Sequence, residues 1–256
     1  MKVVKCEVMS FKRHEQVDSY VLSESSMFVS KERFIIKTCG NTMLLRCLEP
    51  LIYLAKEVAG FDQVLDVFYS RKNFLRPELQ ESPHNELSAE TDLLDSYFED
   101  GAAYCLGRMN DDYWFFYTLN PLVFRKGVSV ADQTLEVMMQ NLSPEVMSIF
   151  SQARCLDGKE ATVKSGIDKL IPGAVIDDVL FNPCGYSMNG YIKGGYYMTI
   201  HITPEAGFSY VSFETNYPLT SYTELIGRVI KTFQPGSFLI TILANEVRFF
   251  LTVSCF

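Results

Sequence analysis

The Glu24-Ser25-Ser26 step places a hydroxyl next to a peptide bond that it can attack. Attack by the Ser25 hydroxyl on the preceding carbonyl would turn the Glu24–Ser25 amide into an ester. β-Elimination of that ester releases the Glu24 carboxylate as a new chain end and leaves dehydroalanine. Hydrolysis of the dehydroalanine then yields a pyruvoyl group at position 25 and ammonia. A pyruvoyl carbonyl can form a Schiff base with a substrate amine and act as an electron sink for decarboxylation. The alternative interpretation is a turn, because serines beside an acidic residue are common in turns.

The segments that must position this step are mostly strands. β-Branched and aromatic residues with partial alternation predict strands at 3–9, 19–30, 33–38, 102–108, 112–119, 174–181, 196–203, 207–214, 236–243 and 246–253. Helical periodicity predicts a long helix at 42–59, which Pro50 should kink. Shorter amphipathic stretches indicate helices at 61–68, 88–98, 132–142 and 219–232, with loops at 76–88 and 155–168. Antiparallel strands with few, segregated helices predict an α+β fold.

Composition limits the class of protein. A 256-residue chain that is 48% hydrophobic can bury a sizeable core. A net charge of -8 and a pI near 5.0 argue against a nucleic-acid partner, which would require a basic face. We find neither a signal peptide nor an apolar run of membrane-spanning length. The seven cysteines show no CxxC spacing, so we expect no metal, no disulfide framework and a cytoplasmic protein with reduced thiols.

Seven ordered segments together resemble the eukaryotic-type S-adenosylmethionine decarboxylases, which are pyruvoyl-dependent proenzymes. These segments are 20–30, 34–40, 68–74, 101–105, 132–136, 181–190 and 199–205. The likeness runs from about Asp18 to about Leu243. It implies a four-layer αββα sandwich, two antiparallel sheets with helices on the outer faces, as a single domain over 1–256. It also implies self-cleavage into a small chain, 1–24, and a large chain, 25–256.

The resemblance assigns catalytic roles to four residues. Ser25 would become the pyruvoyl group that forms the Schiff base. Ser187 and His201 match the positions that supply the oxyanion stabiliser and the base for processing. Cys39 matches the proton donor to the substrate Cα, and a thiol with a pKa of about 8.5 suits that task. Without a function, Ser187 would be a turn serine, His201 a hydrogen-bonded strand histidine and Cys39 a small buried hydrophobe.

The resemblance also implies a binding site for S-adenosylmethionine. Phe181 matches the aromatic residue that stacks on adenine, and Glu205 matches the acid that holds the ribose hydroxyls. The backbones of Leu22 and Glu24 match the remaining contacts on the adenine side. The alternative is that Phe181 is simply one of 19 phenylalanines, most of which belong to the core.

A second implied site binds putrescine as an activator, or stays charged without it. It comprises Asp132, Thr134, Glu136 and Glu214, with Arg71 linking it to the active site. Asp132, Thr134 and Glu136 share one face if their segment is extended. Buried carboxylates need a cationic partner. Solvated surface acid is the alternative, above all for Glu136.

Both ends depart from the family pattern. Residues 1–24 lack the Phe-x-Gly-x-Glu-Lys segment, and the likeness ends after about Leu243, so we expect truncation at both ends and missing edge strands. The predicted function is decarboxylation of S-adenosylmethionine, which makes the aminopropyl donor for spermidine and spermine. The alternative is a catalytically impaired fragment, or a regulatory pseudoenzyme that pairs with an active decarboxylase. The retained Ser25, Cys39, Ser187 and His201 favour the enzyme. A homodimer or heterodimer is a separate expectation that these residues do not decide.

Overall fold

A computed structural model describes residues 4–23, 25–39, 42–110, 113–119 and 132–244. Contacts divide the chain into two compact units. The first unit comprises Met1–Lys5 and Asn41–Val128, and the second unit comprises Cys6–Gly40 and Ser129–Phe256. The single domain expected over 1–256 stays a prediction.

Thirteen strands lie in the described residues. They are β1 (Val8–Arg13), β2 (Val17–Leu22), β3 (Ser25–Ser30), β4 (Phe34–Thr38), β5 (Phe68–Lys72), β6 (Gly101–Gly107), β7 (Tyr113–Leu119), β8 (Gln133–Leu142), β9 (Val175–Leu180), β10 (Tyr186–Ile192), β11 (Tyr196–Thr203), β12 (Tyr210–Thr215) and β13 (Pro235–Ala244). The α-helices are α1 (Leu48–Tyr53), α2 (Leu87–Tyr97), α3 (Pro144–Ser148), α4 (Gly158–Ser165) and α5 (Thr223–Phe233). None of the described helices is long and apolar enough to cross a membrane.

The second unit contains two antiparallel sheets packed face to face. The four-stranded sheet has the order β1-β2-β3-β4, and the six-stranded sheet has the order β13-β8-β12-β11-β10-β9. Between them, the rings of Phe28 and Tyr197 lie 4.4 Å apart, and both side chains are buried. On the opposite face of the six-stranded sheet, Val229 and Phe233 of α5 join the main core. The described part of this unit therefore has the two facing sheets of the predicted sandwich, with helices on one outer face, and the fourth layer stays a prediction.

Strand β8 shows how the sequence builds this arrangement. Successive strand side chains point to opposite faces. Leu135, Val137 and Met139 are fully buried in the core that includes α5. Glu136, between them in sequence, is bonded to β4 of the facing sheet. One face of β8 is thus apolar and the other lies in a polar layer between the two sheets.

The first unit has its own sheet and core. Its three strands have the order β5-β7-β6. Leu94 of α2 and Phe98 just after it pack with Tyr69, Phe115 and Tyr117 of that sheet. The described residues therefore contain three antiparallel sheets and a few helices, which confirms the α+β class.

Several predicted elements differ from the observed ones. The stretch 132–142, predicted as a helix, forms β8, and the alternation of Leu135, Val137 and Met139 with Thr134 and Glu136 was the signal for a strand. The stretch 19–30 forms the two strands β2 and β3 rather than one, and they pair as a hairpin. No helix forms at 61–68, where residue 68 instead begins β5. Strands predicted at 3–9 and 246–253 fall partly or wholly outside the described residues, and β1 begins at Val8.

Two further predictions, one of a loop and one of a helix, also need correction. The stretch 155–168, predicted as a loop, contains α4. Its signal was present in the sequence, because the Asp157 side chain accepts a hydrogen bond from the Glu160 amide and Gly166 ends the helix with φ +82°. The predicted long helix at 42–59 is segmented into a 3₁₀ turn (Leu44–Cys47), α1 and a π-helical turn (Leu54–Val58). Helices α2 and α5 match the predictions at 88–98 and 219–232 closely.

Candidate active site

Ser25 is the first residue of β3 and is fully buried. Its Oγ lies 3.3 Å from the Sγ of Cys6, another buried side chain. Glu24, on the other side of the predicted cleavage bond, lies outside the described residues. Cys6 was not among the residues singled out from the sequence, because nothing local marks a cysteine that precedes β1 as a partner of β3.

His201 lies at the centre of a buried polar chain. Ser187 of β10 and His201 of β11 are register partners, so their side chains lie side by side on one face. The Oγ of Ser187 is 2.9 Å from His201 Nδ1, and the Oγ of Ser26 is 2.9 Å from His201 Nε2. Ser26 Oγ is also 2.7 Å from Thr199 Oγ1. The structure thus brings the two predicted processing residues together and adds Ser26 and Thr199, which sequence reasoning did not single out.

The serine that contacts His201 is Ser26, not Ser25. Adjacent residues of a strand point to opposite faces. Ser26 faces the six-stranded sheet, whereas Ser25 is bonded to Cys6. The Ser-Ser pair therefore presents one hydroxyl to the histidine and the other to a thiol.

Burial makes the His201 imidazole neutral. It lowers the pKa of His201 to about 3, and the positive charge of Lys37 acts in the same direction. A neutral imidazole has one nitrogen able to accept a proton. His201 therefore keeps a free lone pair at physiological pH, although the same low pKa makes it a weak base.

A second buried group joins two of the predicted putrescine-site carboxylates. Glu136 of β8 and Glu214 of β12 are register partners. The Nζ of Lys37, from β4, donates to Glu136 and to Glu214 Oε2, the latter at 2.9 Å. Tyr197 Oη donates to Glu214 Oε1 at 2.5 Å. Lys37 is the cationic partner that buried carboxylates need. Sequence reasoning did not name it, although a lysine directly after the apolar run 34–36 was the available signal.

The charges in this group depend on one another. Burial acts to lower the pKa of Lys37, but Glu136 and Glu214 outweigh it and hold that pKa above its ordinary value. Burial raises the pKa of Glu136, Lys37 opposes this, and Glu214 adds to it. Lys37 therefore stays protonated, and its charge is shared by two carboxyl groups.

The other predicted putrescine-site residues lie in different surroundings. Asp132 accepts a hydrogen bond from Arg33 Nη2 at 2.5 Å. Thr134 lies two residues before Glu136 on β8 and so shares its face. Arg71 lies on β5 in the first unit. Its place in a putrescine site stays a prediction.

Arg71 belongs to a buried network of its own. Its Nε and Nη2 donate to the carboxylate of Glu90, at 2.9 and 2.7 Å for Oε2. Tyr69 Oη and His84 Nδ1 also bond to Glu90 Oε1, at 2.8 and 2.6 Å. Burial acts to raise the pKa of Glu90, but His84 and Arg71 outweigh it and lower that pKa. The guanidinium also stacks 4.5 Å from the ring centre of Phe74.

Phe181 and Glu205 lie where neighbouring strands of the six-stranded sheet end. Strands β9 and β11 end on this side of the sheet and β10 begins there, because β10 is antiparallel to both. Phe181 is half-buried and its amide donates to the Gly185 carbonyl at 2.8 Å. Gly185 has a φ of +112°, which favours glycine and lets the turn close beside Phe181. Glu205 is exposed. Burial raises the pKa of the Cys184 thiol, and the nearby Glu205 raises it further.

Cys39 and Leu22 lie near the Ser25 end of the four-stranded sheet. Thr38 of β4 is the register partner of Ser25, and half-buried Cys39 follows it directly. Leu22 ends β2 and is fully buried. The predicted proton donor thus lies one residue beyond the strand partner of the predicted pyruvoyl precursor.

The described residues bring together no group of three or more His, Cys, Asp or Glu side chains that could hold a metal. The chemistry that they offer is a neutral imidazole between hydroxyls, with a second hydroxyl and thiols nearby. Such a set suits hydroxyl attack and proton transfer.

Comparison with known proteins connects this geometry to a family. The family model described as Adenosylmethionine decarboxylase matches residues 1–252. The S-adenosylmethionine decarboxylase proenzyme of Drosophila melanogaster is 52% identical over 253 residues, which cover 95% of this chain and 73% of that protein. The proenzyme of Xenopus laevis is 51% identical over 243 residues, which cover 95% of this chain and 72% of that protein.

A solved structure agrees with the sequence relatives. The crystal structure of the Trypanosoma brucei AdoMetDC-delta26 monomer has a TM-score of 0.62 and 28% sequence identity. The match covers 84% of this chain and 78% of that one. The chain belongs to the adenosylmethionine decarboxylase family.

Proposed function

We propose that this chain processes itself at Ser25 and then decarboxylates S-adenosylmethionine, as a step in polyamine synthesis. The observation that carries the proposal is the buried Ser187–His201–Ser26 chain beside Ser25 in a member of this family. The alternative, an impaired fragment or regulatory pseudoenzyme, is not favoured. A protein that neither processes itself nor catalyses a reaction would not need a neutral buried imidazole bonded to two hydroxyls.

The residues around Ser25 fit a pyruvoyl group. Ser25 is fully buried, which would keep bulk water and unrelated amines away from a reactive carbonyl. When formed, that carbonyl would supply the electrophile and electron sink for decarboxylation. Cys6 would hold the Ser25 end of β3, and Cys39, next to Thr38, would lie on the neighbouring strand.

Each remaining residue has a role in this proposal. His201 removes the Cα proton of Ser25 during processing, which its neutral state supports, and Ser187 donates to the developing oxyanion. Cys39 returns a proton to the substrate Cα. Phe181 stacks on adenine and Glu205 holds the ribose. Their location at the strand ends beside Ser187 supports these two roles. The backbones of Leu22 and Glu24 would complete the adenine side.

Mass spectrometry of the purified chain tests the proposal. We expect two fragments, 1–24 and 25–256, with a pyruvoyl mass at the start of the larger. Ser25→Ala should remain a single chain. Ser19→Ala is the matched control, because Ser19 is a buried serine of the neighbouring strand β2 and should leave cleavage intact. Cleavage at the same bond in Ser25→Ala would point to a contaminating protease and end the proposal.

Putrescine is proposed as an activator at the carboxylates of the second unit. Glu136, Glu214 and Asp132 bring three negative charges if all are ionised, and Lys37 and Arg33 bring two positive charges, so one negative charge remains. That excess supports an added amine. The test compares self-cleavage with and without putrescine in the unmodified chain and in Glu214→Gln. Equal stimulation of the two would argue against this site.

Two further points are proposals. A homodimer or heterodimer is supported by Phe238 and Leu239, exposed side chains on β13, which is an edge of the six-stranded sheet in the described residues. Sedimentation velocity would test it. A cytoplasmic location is supported by the sequence, whose seven cysteines show no CxxC spacing and no disulfide framework. Cell fractionation would test that location.

A further inference from the structure

The hydrogen bonds around His201 can be given a direction. The Met188 carbonyl can only accept, and Thr199 Oγ1 donates to it at 3.0 Å. This bond uses the single hydrogen of the Thr199 hydroxyl. The hydrogen in the 2.7 Å contact between Ser26 Oγ and Thr199 Oγ1 must therefore come from Ser26. Ser26 then has no hydrogen left and can only accept from His201 Nε2, 2.9 Å away.

This order determines which imidazole nitrogen carries the hydrogen. A neutral imidazole has a hydrogen on one nitrogen and a lone pair on the other. With Nε2 as the donor, Nδ1 holds the lone pair and accepts from Ser187 Oγ at 2.9 Å. Thr199 Oγ1 lies 3.4 Å from Nε2 as a second, weaker acceptor of the same hydrogen. All four side chains are buried, so bulk water does not compete for these bonds.

The opposite tautomer would interrupt this series of hydrogen bonds at Thr199. With the lone pair on Nε2, Ser26 would donate to the imidazole instead. Two oxygens, those of Ser26 and Thr199, would then face each other at 2.7 Å with no hydrogen between them. Thr199 cannot supply that hydrogen without leaving the Met188 carbonyl. The resting direction is thus set by Thr199.

We infer that Thr199 is a positioning residue that holds His201 as the Nε2–H tautomer and so restrains self-processing. The inference rests on the proposed function only for its effect on processing. In the resting tautomer the imidazole lone pair points at Ser187, away from β3. The single hydrogen of Ser187 is also committed to Nδ1. A shift to the Nδ1–H tautomer would turn a basic nitrogen toward β3 and free the Ser187 hydrogen for an oxyanion.

The tautomer can be measured without any cleavage. Histidine-labelled Ser25→Ala protein would be studied by two-bond ¹⁵N–¹H correlation, which distinguishes the two neutral tautomers. The chain has only three histidines, so the spectrum of Ser25→Ala/His201→Gln identifies the His201 signals by their loss. We expect the Nε2–H pattern. An Nδ1–H pattern for His201 would overturn the inference, whatever the chain does in processing.

Variants at position 199 test the restraint. Thr199→Val keeps the shape but removes the hydroxyl, so the Nδ1–H population should rise and self-cleavage should become about 2- to 10-fold faster, the equivalent of one net hydrogen bond. Thr199→Ser should restore the wild-type tautomer and rate. A merely structural role would slow cleavage and lower thermal stability instead. An unchanged tautomer in Thr199→Val, or a shifted tautomer without faster cleavage, would refute the restraint.

The two proposals fail in different ways. If the unmodified chain does not cleave, the proposed function is wrong, while the tautomer in Ser25→Ala still tests the direction of the chain of bonds. If Thr199→Val does not fold, the spectrum of Ser25→Ala alone decides whether His201 has the Nε2–H form.

Discussion

The neutral buried state of His201 has a measurable consequence for stability against acid. In the folded chain burial lowers the pKa of His201 to about 3, whereas an unfolded histidine has a pKa of about 6.5. Between these values the unfolded state binds a proton that the folded state does not. The stabilisation is therefore complete above the unfolded pKa and is lost as pH falls from about 6.5 toward 3.

The magnitude follows from proton linkage. At about pH 5 the unfolded histidine is almost fully protonated and the folded one is not, which costs about 2 kcal/mol relative to about pH 7.5. This value hardly depends on the folded pKa, provided that the pKa stays about one unit or more below the measuring pH. His14 and the carboxyl groups also titrate in this range, but they are present in every chain compared.

The assay compares Ser25→Ala with Ser25→Ala/His201→Gln, so that only uncleaved chains are present. Urea unfolding followed by circular dichroism gives the free energy of unfolding at the two pH values. The loss between about pH 7.5 and about pH 5 should be about 2 kcal/mol smaller in the chain that lacks His201. Equal losses in the two chains would show that His201 is protonated in the fold and would refute this account of its burial.

Three further predictions concern the neighbouring side chains. Cys39→Ala should cleave normally but release carbon dioxide from carboxyl-labelled S-adenosylmethionine about 100- to 10,000-fold more slowly, because a general acid is lost. Lys37→Met leaves two buried carboxyl groups without their cation and should lower the free energy of unfolding by about 3–5 kcal/mol, measured by urea unfolding. Cys6→Ala removes the thiol bonded to Ser25 and should slow self-cleavage about 2- to 10-fold, followed by gel electrophoresis of freshly made chain.

Each of these has an outcome that would contradict it, and two have a matched control. For Cys39→Ala, wild-type turnover would remove that thiol from the mechanism. Lys31→Met changes an exposed lysine, whose side chain is 91% accessible, and should shift stability by less than about 0.5 kcal/mol. Cys6→Ser should recover the rate lost in Cys6→Ala, and Cys155→Ala, at a buried cysteine of the main core, should not slow cleavage. Equal slowing by the two alanine variants would mean that packing, not the contact with Ser25, matters.

Local signals in the sequence were sufficient for part of the fold. The helix at α5 has an apolar stripe that packs on one sheet face, so its periodicity is visible in the chain itself. Strands such as β11 are rich in β-branched and aromatic residues. By contrast, β10 is buried on both faces and shows no alternation, so it went unpredicted. The helix α4 was missed although Asp157 and Gly166 marked its ends.

The sequence by itself determined the family, the Glu24-Ser25-Ser26 step and the candidate residues Ser187 and His201, because ordered motifs survive as a linear pattern. Only the tertiary structure decided which of two adjacent hydroxyls meets the imidazole. It also decided that Lys37 lies between Glu136 and Glu214. The physical reason is that these contacts join residues about 100 or more positions apart, through the register of two facing sheets. Register and sheet packing result from cooperative burial of whole faces, which no short stretch of sequence encodes.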